Sequence, residues 1–512
     1  MLRPCLRQCS LMSFRYAESS LVNVVALKST PSRSSSRQKC TKPCRSSCPD
    51  RSALCTLREV QASFIMSCHS SFSRQRFPLA SRLLFLDCLR VALYRSRHSA
   101  STQRQRHLCY NRLALHRCPQ CGPSGSVPSA NHPASHPDGG VRGVDVYQRL
   151  GVRKVINGYA TLTRLGGSIM PPVVVEAMVE ASKYFVDMED LQNKVGQRLA
   201  ELTHNESAFV AASAAAGIML STAACVTGKD RAKIAALPNT AGMRNEVIVF
   251  RPQRNGFDFA IRQTGARLVE IGAHWGTQEW ELEAAINEKT AAIFFFAGEH
   301  YKRGALPLAE VISIAKSHGV PVLVDAAAQL PPVENLWHYT QMGADIAIFS
   351  GGKGLQGPQA SGLVVGKRDI IEAMKLHSCL YTHIGRPAKV GKEEMIALLA
   401  AVEWYLSLDQ EALLARYESQ VKYLLDEFSS VPNVTVERAW PSEAGQPMPR
   451  ALIRFLPGLG LTRDEVISRL KEGDPYIEVA PIDSDAVAVN PQTLADGEEK
   501  LIAARLHEIL GR

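Results

Sequence analysis

Ile346-Ala347-Ile348-Phe349-Ser350-Gly351-Gly352-Lys353-Gly354 decides the reading of this chain. The apolar run Ile346–Phe349 has the length and β-branched content of a buried strand. A lysine among glycines directly after such a strand can be approached closely by a flat ligand. Partial burial lowers its pKa toward that of a nucleophilic amine. Taken alone, a Gly-Lys-Gly loop fits a solvated turn as well, and the GxxxxGK[ST] spacing of a P-loop is absent.

Upstream, short apolar runs follow one another, each bounded by Gly, Pro or polar residues. They are Ala208–Ala212, Glu246–Phe250, Arg267–Ile271, Ala291–Phe296 and Val320–Val324, with Gly362–Val365 downstream of the lysine. Their character predicts buried strands of a mostly parallel sheet. Helical patterns intervene, such as Pro307 to Lys316, with proline in the first turn and Gly319 past the end. Strand alternating with helix predicts an α/β doubly wound sheet whose ligands sit beyond the carboxyl ends of its strands. After Gly391 a helical stretch through Trp404 leads into strand candidates Val434–Glu437 and Ala451–Phe455, which suit a smaller α+β C-terminal domain. The expected organisation is a basic segment over 1–121, a linker over 122–143, a large domain over 144–385 and a small domain over 386–512.

Charge divides the chain sharply. Residues 1–140 carry 21 basic and 5 acidic side chains, a balance of +16, against 38 basic and 44 acidic in the remainder, a balance of −6. The basic character of the whole therefore belongs to the first segment. Eleven of 13 cysteines lie between Cys5 and Cys121, and only Cys225 and Cys379 lie beyond, so the body carries no disulfide framework and reads as a reduced, cytoplasmic protein. Cys118-Pro-Gln-Cys121 is a lone CxxC without a second pair, and no metal site is expected. The Arg- and Ser-rich, acid-poor first segment fits a disordered tail, a start assigned too early, or a transit peptide that would direct the protein to mitochondria. Its few aromatics argue against a nucleic-acid-binding arm. The best membrane candidate, Leu83 to Tyr94, is short and contains Asp87 and Arg90, so no membrane partner is expected.

A second signal lies in Val322-Leu323-Val324-Asp325-Ala326-Ala327-Ala328-Gln329, where a carboxylate ends an apolar strand. On its own it fits a metal ligand or a helix cap. With Lys353 it suggests more. Pyridoxal phosphate (PLP) chemistry needs a lysine for the Schiff base and an anion that keeps the pyridine nitrogen protonated.

The wider string is more specific: Asn157-Gly158, Thr163-Arg164-Leu165-Gly166-Gly167-Ser168, Ala212-Ser213-Ala214-Ala215-Ala216-Gly217, Arg262-Gln263-Thr264-Gly265-Ala266, and Gly385-Arg386-Pro387-Ala388-Lys389-Val390-Gly391-Lys392. With the Asp325 and Lys353 motifs it resembles the selenocysteine synthase (L-seryl-tRNA selenium transferase) superfamily of fold-type I PLP enzymes, nearest its D-glucosaminate-6-phosphate ammonia-lyase-like branch. The likeness covers roughly 144–400 well, the C-terminal domain loosely and residues 1–140 not at all.

The resemblance implies an aspartate-aminotransferase-like fold, Lys353 as the Schiff-base lysine and Asp325 as the partner of the pyridine nitrogen. It makes Ser213, Ala214, Ala215, Ala216 and Gly217 the phosphate cup, with a hydroxyl added by Ser350. A small-residue turn opening a helix does offer free N–H groups to phosphate, although the stretch also reads as a plain Ala-rich helix start. Arg386 is a candidate for a substrate carboxylate or phosphate, or else a surface ion pair. Arg164 and His300 are weaker substrate candidates. A homodimer or larger homo-oligomer is implied too.

Three functions follow. One is a lyase that removes water and ammonia from a hydroxylated amino acid or amino-sugar acid to leave a keto acid. Another is a transferase acting on seryl-tRNA, and the last is an inactive PLP-fold binding protein. The acidic body and the absence of a recognisable tRNA-binding domain disfavour tRNA, and the presence of both Lys353 and Asp325 disfavours an inactive protein.

Overall fold

The computed structural model describes residues 145–511. Among them, twelve strands form two sheets. The seven-stranded sheet has the order β2 (Ser207–Ala211), β8 (Gly362–Gly366), β7 (Ile346–Ser350), β6 (Val322–Asp325), β5 (Thr290–Phe296), β3 (Glu246–Phe250), β4 (Arg267–Ile271). Only β8 runs against its neighbours. Every strand expected of this sheet is present, within two residues at either end.

Alternation along each strand builds two cores. Val210, Ile248, Ile293, Val324, Phe349 and Leu363 face one layer of helices. Phe209, Val247, Phe294, Leu323, Ile348 and Val364 face the other, which contains the helix Ala214–Thr227. That helix lies close to the sheet because Gly217 has no side chain: a Cβ there would come within 2.8 Å of Val364 Cγ2 and 3.0 Å of Ile348 Cγ2. The same alternation fixes the chemistry. Leu323 faces the Ala214–Thr227 layer, so Asp325, two residues on, does as well, and Ser350 follows Ile348 to that side.

The smaller sheet has the order β1 (Val155–Gly158), β11 (Tyr476–Ile482), β12 (Ala486–Val489), β10 (Arg450–Phe455), β9 (Val434–Ala439). It packs on the helices Gln410–Phe428, Arg463–Glu472 and Glu498–Ile509. The structure moves the expected domain boundaries at two points. β1, assigned to the large domain on sequence, pairs in parallel with β11 of the small sheet. The helix Lys392–Ser407, assigned to the small domain, contributes Met395, Leu398, Val402 and Tyr405 to the core under the large sheet. In both cases apolar burial, not chain order, decides the layer. The expected segment 1–121 and linker 122–143 lie outside the described residues.

Candidate active site

The carboxyl ends of β2, β5, β6 and β7 open into one cleft with about 360 Å³ of free space, lined among others by Ser213, Asp325, Ser350, Lys353 and, from the small-domain side, Glu443. Ligand pockets of α/β sheets form at this edge. The glycines around Lys353 are there for close packing. A Cβ on Gly352 would lie 2.5 Å from Gln359 Cα, and one on Gly354 2.6 Å from the Leu330 carbonyl oxygen. The loop is thus wedged between two backbone segments, and the lysine it carries is held inside rather than on a solvated turn.

Asp325 and Lys353 oppose each other electrostatically within this cleft. Burial pushes the Asp325 carboxyl above the usual carboxylate range, while the Ala327 N–H, donating to Oδ1 at 2.9 Å, and the Lys353 charge pull the other way. Burial lowers the Lys353 amine, against the opposing pull of Asp325 and Glu443. The outcome is an amine closer to its nucleophilic form than an exposed lysine and a carboxylate poorly satisfied by its own chain.

At another part of the cleft the helix Ala214–Thr227 begins. Ser213 caps it, its Oγ accepting from the Ala216 N–H at 3.0 Å, and the Gly217 N–H donates to the Ser213 carbonyl at 3.0 Å. The Ala214 and Ala215 amides have no acceptor among the described residues, and both residues line the cleft. Of the five expected cup residues, Ser213, Ala214 and Ala215 therefore face the space. The Ala216 and Gly217 amides are used internally, and Gly217 serves helix–sheet contact. The Ser213 and Ser350 hydroxyls each keep a proton to donate.

These residues fit PLP. Free amides at a helix N-terminus and two hydroxyls suit a phosphate, a buried amine suits its aldehyde, and an under-satisfied carboxylate suits a protonated ring nitrogen. Phe257, Phe296 and Tyr301 supply an aromatic wall to the same cleft.

The arginine candidates lie elsewhere. Arg386 is exposed and does not line the cleft; its Nη1 donates to the Cys379 carbonyl at 2.6 Å. Arg164 binds Glu478 through both carboxylate oxygens, at 2.8 and 3.2 Å, and stacks over the Tyr159 ring. His300 belongs to the helix Glu299–Lys302, and its side chain lies outside the described residues. The residue that sequence reasoning missed is Glu443. It lies in a Pro- and Gly-rich loop between β9 and β10 that reads as an ordinary solvated turn, and only the tertiary structure brings it to Lys353.

The fold and this cleft define an aspartate-aminotransferase-like enzyme of the fold-type I class. The family model for L-seryl-tRNA selenium transferase matches residues 155–417, more than half of the chain, and the protein belongs to that family. Its relatives include PLP-dependent lyases and transferases, and the chain is an enzyme of lyase or transferase type. It is similar to the D-glucosaminate-6-phosphate ammonia lyase of Salmonella typhimurium (strain 14028s / SGSC 2262), with 34% identity over 71% of this chain and 98% of that protein. A solved structure of a D-glucosaminate-6-phosphate ammonia-lyase superposes with a TM-score of 0.64 at 33% identity, over 72% of this chain and 98% of the other. The L-seryl-tRNA(Sec) selenium transferase of Nitratidesulfovibrio vulgaris (strain Hildenborough) is more distant, 28% identical over 72% of this chain and 85% of its own length.

Proposed function

We propose that the protein is a PLP-dependent lyase that eliminates water from a hydroxylated amino acid or amino-sugar acid, the resulting enamine then taking up water to release ammonia and a keto acid. The observation that carries this reading is the convergence of Lys353, Asp325 and the Ala214 and Ala215 amides on one cleft. The similarity to an ammonia lyase across almost all of that enzyme's length supports it.

Bound in the cleft, PLP supplies an electron sink for the pair left when the substrate Cα–H bond breaks. The Ala214 and Ala215 amides and the Ser213 and Ser350 hydroxyls would bind its phosphate. Asp325 would keep a proton on the ring nitrogen, a pairing that burial would strengthen over its value in water. Lys353 would hold the cofactor through its amine, and its neutral Nζ would take the substrate Cα proton. Phe296 and Tyr301 add aromatic surface beside the reacting atoms.

A small-molecule substrate fits the net acidic body better than a tRNA does. The protein works as a homodimer or an assembly of dimers. The helix Pro172–Ser182 buries Val174 against Ala397 and Ala401 yet leaves Val173, Val175 and Val179 in water, followed by exposed Tyr184, Phe185 and Val186. A second copy of the chain is the occupant that the family resemblance implies for this apolar surface. Among the described residues no helix is long and apolar enough to cross a membrane.

The test is to incubate the purified protein with PLP and a panel of D- and L-hydroxyamino acids and amino-sugar acids, and to assay keto acid and ammonia. Equimolar release of both from at least one compound is expected. No release from any of them, in a protein that has taken up PLP, would overturn the reading.

A further inference from the structure

We propose that Glu443 is the proton donor to the departing hydroxyl of the substrate; this rests on the lyase reading above. Glu443 lines the cleft together with Lys353, Asp325 and Gln329. Its loop is fixed to the segment that follows Asp325. Gln329 Nε2 donates to the Ala444 carbonyl at 2.8 Å, and the Leu330 carbonyl accepts from Gln446 Nε2 at 3.2 Å and Gln492 Nε2 at 3.0 Å. Asn490 Nδ2 reaches both carboxyl oxygens, at 3.1 and 2.8 Å, so the side chain has one orientation while each oxygen keeps room for another partner.

The chemistry of the other cleft residues leaves this role open. Hydroxide is a poor leaving group, and elimination from a hydroxylated carbon needs a proton delivered to oxygen as the bond breaks. Asp325 is committed to the ring nitrogen and accepts from the Ala327 amide. Lys353 takes the Cα proton, and the ammonium it becomes is a much weaker acid than a carboxyl group. Tyr301 is a weak acid, because burial raises its phenol above an ordinary value that is already high. The serine and threonine hydroxyls are weaker still. Glu443 is the remaining acid lining the cleft, and burial pushes its carboxyl above the usual range, against its own backbone N–H, the Arg450 charge, the Asn490 amide and the Lys353 charge. Among the described residues the charged groups that face it are Lys353, from the loop after β7, and Arg450, at the start of β10, whose Nη1 lies 3.8 Å from Oε2.

The step balances. Lys353 Nζ takes the proton from Cα, and the electron pair left behind forms the Cα–Cβ double bond as the Cβ–O bond breaks. The oxygen leaves as water with its own hydrogen and the Glu443 proton. Lys353 gains one positive charge and Glu443 one negative charge, so the buried site keeps its net charge, and the two new ions lie near each other.

The test compares leaving groups. Wild-type holoenzyme and Glu443→Gln are assayed on the hydroxylated compounds, including D- and L-serine, and on β-chloroalanine of the same hand, whose chloride departs without a proton. In Glu443→Gln, loss of water should slow by about a hundredfold or more. Loss of chloride should fall much less, and exchange of the Cα hydrogen with deuterium oxide should persist. The retained chloride reaction and exchange also report that the variant is folded and loaded. An equal fall for both leaving groups, or unchanged dehydration, would overturn the role of Glu443 with the lyase reading intact. A wild type that exchanges Cα hydrogen but releases no keto acid from any hydroxylated compound would overturn the lyase reading and this inference with it.

Discussion

Arg164 holds Glu478 through both oxygens of a carboxyl group that is 2% exposed, joining the loop after β1 to β11. Burial alone would raise that carboxyl, but Arg164, Tyr476 and Lys471 together bring it below the usual range. Arg164→Ala should therefore act mainly on stability. We expect a loss of about 1–3 kcal/mol in urea unfolding at pH 7, moderated because Lys471 remains 3.4 Å away. The depressed folded value means that this stabilisation is fully present above the ordinary glutamate pKa of about 4.3 and is lost as pH falls through the folded value. The difference between wild type and variant should shrink on acidification through that window. A variant of wild-type stability with a greatly raised KM would return Arg164 to the substrate.

Lys353→Ala should abolish the borohydride-reducible attachment of PLP and lower turnover by at least about a thousandfold. Peptide mapping after reduction of the wild type reads the outcome directly. A phosphopyridoxyl label on any other lysine contradicts the assignment.

Asp325→Ala should keep the reducible adduct while losing about two to three orders of magnitude in turnover, since its charge stabilises the electron sink rather than the attachment. Near-normal turnover would remove Asp325 from the mechanism.

Gly217→Ala inserts a methyl group against Val364 and Ile348. The helix Ala214–Thr227 must then lift from the sheet, moving the Ala214 and Ala215 amides. We expect destabilisation of about 1–3 kcal/mol in chemical unfolding and weaker PLP retention in dialysis. Unchanged retention would mean that the amide end of this helix does not hold the phosphate.

Val179→Asp combined with Phe185→Asp, both at exposed positions, should shift the protein toward monomer in analytical ultracentrifugation without loss of helical content by circular dichroism. A wild type that sediments as a monomer, or a double variant that stays fully associated, would assign these residues another role.

The large sheet was legible because its strands are short apolar runs with clear stops, and β6 and β7 each end on a polar residue at the site. The placement of Lys353 and Asp325 at strand ends beside one cleft was legible for the same reason. Glu443, Asn490 and Gln329 were not, since they meet across sequence separations that no periodicity records. Gly217 and Arg386 misled because a motif conveys residue type without direction. The glycine serves the sheet, and the arginine turns to its own loop. The domain boundary failed because β1 is a four-residue strand whose partner lies near the far end of the chain.

That pairing bears on how the protein is made. The Thr493 hydroxyl donates to the Asn157 carbonyl across 336 positions, and the Asn490 amide donates to the Gly158 carbonyl. At a synthesis rate of about 5–20 residues per second, β1 leaves the ribosome roughly 15–70 s before these partners exist. For that interval it is an unpaired edge. Because Asn490 also steadies Glu443, the segment that finally covers β1 is the one that completes the acid side of the cleft. A nascent chain can thus place Lys353 and Asp325 at the edge of its large sheet before the segment that orients Glu443 has been made.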